Sequence, residues 1–444
     1  MRLNIFRWLA CLLIAPVAIS GTAMASNYRV SPGAVSISQV SLKEAILFAF
    51  DRDPAVGHQA AQMGIGEAQI DEAKSAWMPQ IALSGNTGRN RTTDSSGSLK
   101  NSAAWGMSLT QLVYDFGKTN NAINQTKAQQ ESYRYDLMAT LTEVAAKTSL
   151  NYVEILRYSA LVKAAQANIL ALKNVQQLAK LRADAGLSST SDELQTQTRI
   201  AGMQATLEQY ESSLRSSRAR LSVLTGIDSE KFLPLPASMT IKQDSLDNID
   251  YSLVPAVLAA QAMEKSADFA IQKTESQHWP TLSLRGGRTR YQSNNGSYWD
   301  DQIQLNVEAP LYQGGAVSAR VRQAQSAKTI AATQVDQARF DVLQKASVAM
   351  ADWSGARGRE MAGRLQLETA LRARDVYKNE YTLSKRSIND LLSVEQDVWQ
   401  ATSSKIIAEY DSWSAAVNYE AAVDNLLPAV GVDKNAGARL PDLG

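Results

Sequence analysis

Between Lys118 and Ala183 the chain runs for 66 residues without a proline or a glycine. A continuous helix over that span is roughly 100 Å long at ~1.5 Å per residue, far longer than a globular core requires. Such a helix has only one narrow seam to bury, so it must lie against other helices. Leu161, Ala165, Asn168, Leu172, Val175 and Ala179 recur at alternating steps of four and three, the rhythm of a heptad seam. The second half repeats it in Val342, Ala346, Ala349 and Trp353, and in Leu367, Ala370, Arg374, Tyr377 and Tyr381. Gly355, Gly358 and Gly363 weaken the middle of that second helix, where a bend or an irregular turn is expected.

The long helix belongs to a plan that occurs twice. Pro54-Ala55-Val56 opens an Ala/Gln-rich helical stretch ending at Trp77-Met78-Pro79, and Pro255-Ala256-Val257 opens one ending at His278-Trp279-Pro280. Alternating apolar and polar residues then mark strands at Ile81–Ser84, Trp105–Thr110, Thr281–Leu284 and Ile303–Glu308. Each strand pair spans a polar turn, NRTTDSSGSLK or SNNGSYWDD, and leaves through a matching phrase, LVYDFG or PLYQGG. Tyr114 and Tyr312, Gly117 and Gly315, Gly186 and Ser384, and Asp192 and Asp390 are all 198 residues apart. The register therefore holds from strand to hairpin tip. Asp192 reads as an N-cap or first-turn acid of the returning helix, and Gly226 and Gly431 as the glycines that end the returning helices.

Arg2 and Arg7 flank an apolar stretch, and Ala23-Met24-Ala25 follows, which together read as a secretory signal over residues 1–25. The single cysteine, Cys11, falls inside that signal, so the mature chain is expected to have no disulfide and no lipid-bearing cysteine. The remainder divides into a first repeat at 26–228, a connector at 229–250 containing Phe232-Leu233-Pro234-Leu235-Pro236, a second repeat at 251–431, and a tail at 432–444. A net charge of +1 argues against nucleic acid as a partner. No stretch after the signal is apolar enough for a helical membrane span.

Four alternating strands in an exported chain suit a membrane barrel, with lipid outside and water inside. Four cannot close, because roughly eight is the smallest such barrel and an open edge in lipid leaves backbone groups unpaired. Cyclic oligomerisation is the simplest closure, and three copies give twelve strands. The predicted fold class is mainly α with a small membrane β part, built on an internal two-fold repeat. Trp77, Trp279, Trp299, Tyr291 and Tyr312 are candidates for interfacial aromatic girdles, while Arg285, Arg288 and Arg290 either line the lumen or cap strand ends.

The repeated plan, LVYDFG and LYQGG at the strand exits, and GLSSTSD and SKRSINDLL at the hairpin tips resemble the TolC family of outer-membrane channel-tunnel proteins across the mature chain. That resemblance implies a homotrimer, a β-barrel in outer-membrane lipid, a long periplasmic α-barrel, and docking onto a periplasmic adaptor and an inner-membrane ABC transporter or other pump. It also implies passive conduction of exported protein or small molecules, with no cofactor. The periplasmic end would be the gate. There, Tyr381 would face Asp192, Arg386 would face Ser191 or its backbone, and Asp390 would form a ring of three acids. Gly186, Leu187, Ser384, Lys385 and Ser387 would present the tips to the adaptor. The sequence departs from the family in having Ser393 where a second acid often stands, and Ser384 in place of glycine. YTLSKRSINDLLSVEQ looks most like the protein-secretion branch, with drug efflux as the alternative.

Catalytic signatures are not visible. Gly117-Lys118-Thr119 lacks the glycine a phosphate loop needs at position 112, which is leucine. Gly64-Ile65-Gly66 lacks its third glycine, and His58 and His278 have no zinc-site context. The expectation is a duct rather than an enzyme. The rival reading is a secreted structural coiled-coil protein without a pore.

Overall fold

A computed structural model describes residues 35–91, 99–239, 241, 249–293 and 296–432. The signal, the two strand-turn centres (92–98 and 294–295), much of the connector and nearly all of the C-terminal tail lie outside the described residues. In chain order the elements are β1 (Val35–Ile37), α1 (Leu42–Arg52), α2 (Pro54–Ser75), β2 (Gln80–Arg91), β3 (Leu99–Tyr114), α3 (Lys118–Asp184), α4 (Thr190–Thr225), β4 (Ile227–Ser229), α5 (Pro255–Glu275), β5 (Thr281–Ser293), β6 (Gly296–Glu308), α6 (Ala316–Thr382), α7 (Ile388–Ala422) and α8 (Leu426–Val430). Helix, strand pair, long helix and returning helix thus occur twice in the same order. Both long helices have 67 residues, and α6 starts 198 residues after α3 (118 to 316).

Local chemistry sets the boundaries. Pro54 and Pro255 open α2 and α5, where a missing N–H leaves no intrahelical bond unmade. Both long helices close with paired backbone bonds of the Schellman type. Leu187 N–H donates to Arg182 O and Gly186 N–H to Ala183 O; Lys385 N–H donates to Glu380 O and Ser384 N–H to Tyr381 O. The residue at the turn must be left-handed, and Gly186 (φ 72°) and Ser384 (φ 60°) both are.

Two expectations about the helices are corrected. The α6 helix runs unbroken through Gly355, Gly358 and Gly363, with no irregular turn between them. Gly363 serves packing instead, because a Cβ there would lie 3.3 Å from Lys405 Cα of α7. Gly431 does not end the returning helix. That helix stops at Ala422, where Asp424 turns left-handed (φ 56°), and Gly431 caps the short α8. Gly226 does cap α4 (φ 72°).

The helices pack in the order α4, α3, α7, α6 toward the hairpin tips, while α2 and α5 fill the groups nearer the sheet. A central core joins α1, α3, α4, α7 and α8. In it the buried Tyr152 hydroxyl donates to Val40 O (2.9 Å) or Leu233 O (2.7 Å), tying the long helix to the connector. A second core near the tips gathers Ala165, Leu172, Ala179, Met203, Tyr381 and Leu391 from four helices.

The four long strands form one antiparallel sheet in the order β2-β3-β5-β6, leaving β2 and β6 as open edges. The β3–β5 pairing is the seam between the two repeats. Because paired residues share a face, register assigns the sides. One face carries Ile81, Leu83, Trp105, Met107, Leu109, Leu284, Trp299, Ile303, Leu305 and Val307, all between 37% and 83% exposed. The other carries Ser84, Asn86, Ser108, Thr110, Arg285, Gln304 and Asn306. Among the described residues no helix is long and apolar enough to cross a membrane.

Candidate functional site

Two regions carry the chemistry, the sheet and the hairpin tips. The exposed face of the sheet is apolar where a water-soluble sheet would be polar, and exposing that many large side chains to water is unfavourable. Its lower limit is aromatic: Tyr114 packs edge-on against Phe116 (4.7 Å), and Phe116 stacks on Trp279 (5.6 Å). Toward the turns, Trp105 and Trp299 meet edge to face at 5.4 Å. Tyr291 is not on this face. It stacks with Tyr298 on the polar side (5.3 Å). Trp77 is half-buried, and its carbonyl accepts from Gln111 (2.8 Å). Leu311 and Tyr312, just past β6, are 97% and 87% exposed. The three arginines separate: Arg285 lies on the polar face, and Arg288 and Arg290 lie on the apolar one.

At the tips the two hairpins meet. Tyr381, 2% exposed, closes the tip core. Its hydroxyl sits beside the Asp192 carboxylate and the Ser188 hydroxyl but completes a hydrogen bond with neither. Burial raises its pKa, the Asp192 charge raises it further, and the Arg182 charge opposes both. Asp192 itself is a first-turn acid of α4, two residues after Thr190, with Ser189 as the N-cap accepting from Ser191 N–H (3.2 Å). Arg386 does not reach Ser191. Its Nε donates to Glu380 Oε2 (3.0 Å) and its guanidinium lies 4.5 Å from the Tyr377 ring centre, so it folds back on the last turns of α6. Asp390 completes a capping box with Ser387, accepting from both the Ser387 N–H (3.1 Å) and hydroxyl (2.8 Å). Those hydrogen bonds hold its pKa below the usual carboxylate value. Gly186, Ser384, Lys385 and Ser387 are exposed at the tips, and Leu187 is 66% exposed.

The sequence reading passed over the residue that joins the hairpins, Arg182. Although 91% of its surface is buried (9% exposed), it donates to the carbonyls of Tyr381 and Thr382 (3.1 Å for the latter) and to Ser384 Oγ (2.7 Å). Its guanidinium also lies 4.7 Å from the Tyr381 ring centre. The carbonyls at a helix C-terminus lack intrahelical donors and carry partial negative charge, so a cation there is doubly favourable. The heptad rhythm contained the signal: three residues past Ala179 the next seam position is Arg182.

A second overlooked group is Glu395 of α7. It is 5% exposed, one carboxylate oxygen has no partner, and burial raises its pKa. It lines a cavity of about 300 Å³ with Asn168 of α3, Arg199 and Met203 of α4, and Gln396 and Trp399. No group of His, Cys, Asp and Glu able to hold a metal occurs among the described residues.

A small open sheet on paired ~100 Å helices is a fold found among solved outer-membrane channels. The chain superposes on the outer-membrane channel OprN with a TM-score of 0.75 at 18% identity, covering 86% of this chain and 90% of that one. It superposes on the channel protein CusC with a TM-score of 0.76 at 13% identity, covering 86% and 91%. The profile of the outer membrane efflux protein family matches residues 48–227 and 253–425, and the chain belongs to that family. It is 24% identical over 421 residues to the outer membrane efflux protein BepC of Brucella suis, covering 93% of this chain and 89% of BepC. It is 23% identical to the outer membrane protein TolC of Vibrio cholerae, covering 88% and 92%. Protein CyaE of Bordetella pertussis is 24% identical, covering 87% and 84%. The protein is therefore an efflux channel of the TolC family and not an enzyme.

Proposed function

We propose that three copies assemble into one passive exit duct whose sheets close a twelve-stranded barrel in the outer membrane. The observation that carries this reading is the four-stranded sheet, open at β2 and β6 and apolar on one face. Unpaired edges are not tolerated in lipid, and a neighbouring β6 beside β2 satisfies both. The polar face then lines the water path, and the long helices continue it into the periplasm. Its partners are a periplasmic adaptor at the exposed tips (Gly186, Leu187, Ser384, Lys385, Ser387) and an inner-membrane ABC transporter or other pump. The gate is the tip, latched where Tyr381 of the second hairpin sits beside Asp192 of the first, with Asp390 contributing one acid per protomer to a constriction. The cargo is an exported protein, a reading supported by the YTLSKRSINDLLSVEQ phrase. Efflux of small molecules is the second reading, favoured by the near full-length likeness to a protein named for efflux.

Planar-bilayer recording of the purified protein tests this. A heat-modifiable trimer that conducts is expected, and deleting residues 81–114 should abolish insertion. A monomer that stays soluble without detergent and never conducts would sink the proposal. Two variants separate the roles of Asp390: Ser387→Ala removes the cap and keeps the acid, whereas Asp390→Asn removes the charge. Reduced block by multivalent cations in the second alone is the expected result.

A further inference from the structure

We propose that the lipid-facing side of the sheet binds a phosphate-bearing lipid headgroup at its turn end, through Arg288 and Arg290. This rests on the membrane-wall reading above. Arginine on the apolar face of a membrane strand is costly near mid-depth and tolerated only toward the interface. Arg288 follows Trp279, in the lower girdle, by nine residues. At ~3.4 Å per residue and a tilt of ~40°, that is roughly 23 Å of height, close to the full apolar band of ~25 Å. Both arginines therefore sit where the hydrocarbon ends and headgroups begin.

Their surroundings are arranged rather than incidental. Both guanidiniums lie over the ring of Trp299, at 4.7 and 5.3 Å, and Trp299 is braced by Trp105. This orders two long side chains against a rigid surface, leaving less entropy to lose on binding. Arg288 Nε pairs with Asp301 (3.2 Å) and Arg290 Nη2 donates to Ser297 (3.1 Å). Their other N–H donors have no protein partner among the described residues. Among the described residues of this face, Arg288 and Arg290 outnumber the one acid, Asp301. Two forked cations above an apolar wall fit a ligand with phosphate oxygens at its head and acyl chains below, and guanidinium matches phosphate bidentately. A free phosphate would use the arginines but leave the wall beneath them unmatched, so the occupant is the lipid.

The test is native mass spectrometry of the detergent-solubilised trimer after exchange with bisphosphorylated lipid A or its dephosphorylated form. Wild type should retain the phosphorylated lipid, and R288Q/R290Q should lose on the order of tenfold in retention. Arg285→Gln removes a like charge from the opposite face and should retain as much as wild type. Equal retention by R288Q/R290Q, or equal retention of the dephosphorylated lipid, would overturn the site. Loss of the conducting trimer itself would overturn the wall reading, and is seen before any lipid is counted.

Discussion

The two long helices share length, register and closing turns, yet differ in what covers them. The α3 helix packs mainly against α4, α5, α2, α7 and α1, whereas α6 packs mainly against α7 and α5. Buried residues run the length of α3, from Thr119 to Arg182, but in α6 they thin out after Gly363 and resume only at Tyr381. Phe340, Met361, Leu365 and Val376 stay 51% to 74% exposed, within one stripe at helical spacing. Duplication thus produced one interior helix and one whose flank is unfinished within the protomer. The largest effect is predicted there. Met361→Glu with Leu365→Glu should leave helicity by circular dichroism intact and abolish the trimer in light scattering. A persisting trimer would show that this flank is not the contact between protomers.

The tips sharpen the same contrast, because the first repeat supplies the cation and the second supplies the acceptors. Arg182→Met should lower tip stability by about 2 kcal/mol, the scale of a buried hydrogen bond to a charged group. It should also raise resting bilayer conductance. Arg182→Lys should recover only part of this, since an ammonium cannot span two carbonyls and a hydroxyl as a planar fork does. Unchanged conductance in both variants would confine Arg182 to packing.

Glu395 gives a smaller, pH-dependent effect. Its carboxyl lies within reach of the charges of Arg374, Lys378 and Asp375 on α6, with Arg199 on the cavity wall, yet burial dominates and its pKa stands above the ordinary glutamate value. The folded chain therefore keeps this proton when the unfolded chain has lost it. The contribution to stability is full below pH 4.5 and is lost as pH rises through the elevated folded value. Glu395→Gln should raise the melting temperature at neutral pH and match wild type in acid. Parallel melting curves across pH would mean that the carboxyl is solvated.

Much of this architecture was legible because it rests on periodicity. The gap free of proline and glycine announced α3, and alternation announced the strands. What failed to show was pairing in space. Position in the sequence matches Arg386 to Ser191, but Glu380 and Tyr377, on the last turns of α6 just before it, are nearer. Gly363 was taken for a weak point, yet the spacing to Lys405 depends on α7, which its own neighbours in sequence do not reveal. Asp390 is read from the sequence as one acid of a ring, and the capping box gives it a second role without touching the first, which needs three protomers. Arg182 was visible as a seam position but unreadable as a clamp, because its acceptors are mostly backbone atoms about 200 residues away.

The smallest effect belongs to Ser384, where two terms oppose. A side chain in the left-handed region costs roughly 1–2 kcal/mol relative to glycine, and the matching turn of the first repeat uses Gly186. The serine hydroxyl offsets this by accepting from Arg182 (2.7 Å), and a hydrogen bond to a charged group is worth about 1.5–3 kcal/mol. Ser384→Gly should therefore change melting by little while raising resting conductance, since it relaxes the turn and frees one arm of the clamp. Ser384→Ala keeps the backbone cost and loses the acceptor, so it should be the less stable of the two. If alanine and glycine behave alike, the left-handed turn carries no strain, and the repeats differ at the tip only in the hydroxyl. If instead both match wild type in conductance, Arg182 holds the two hairpins through the Tyr381 and Thr382 carbonyls alone.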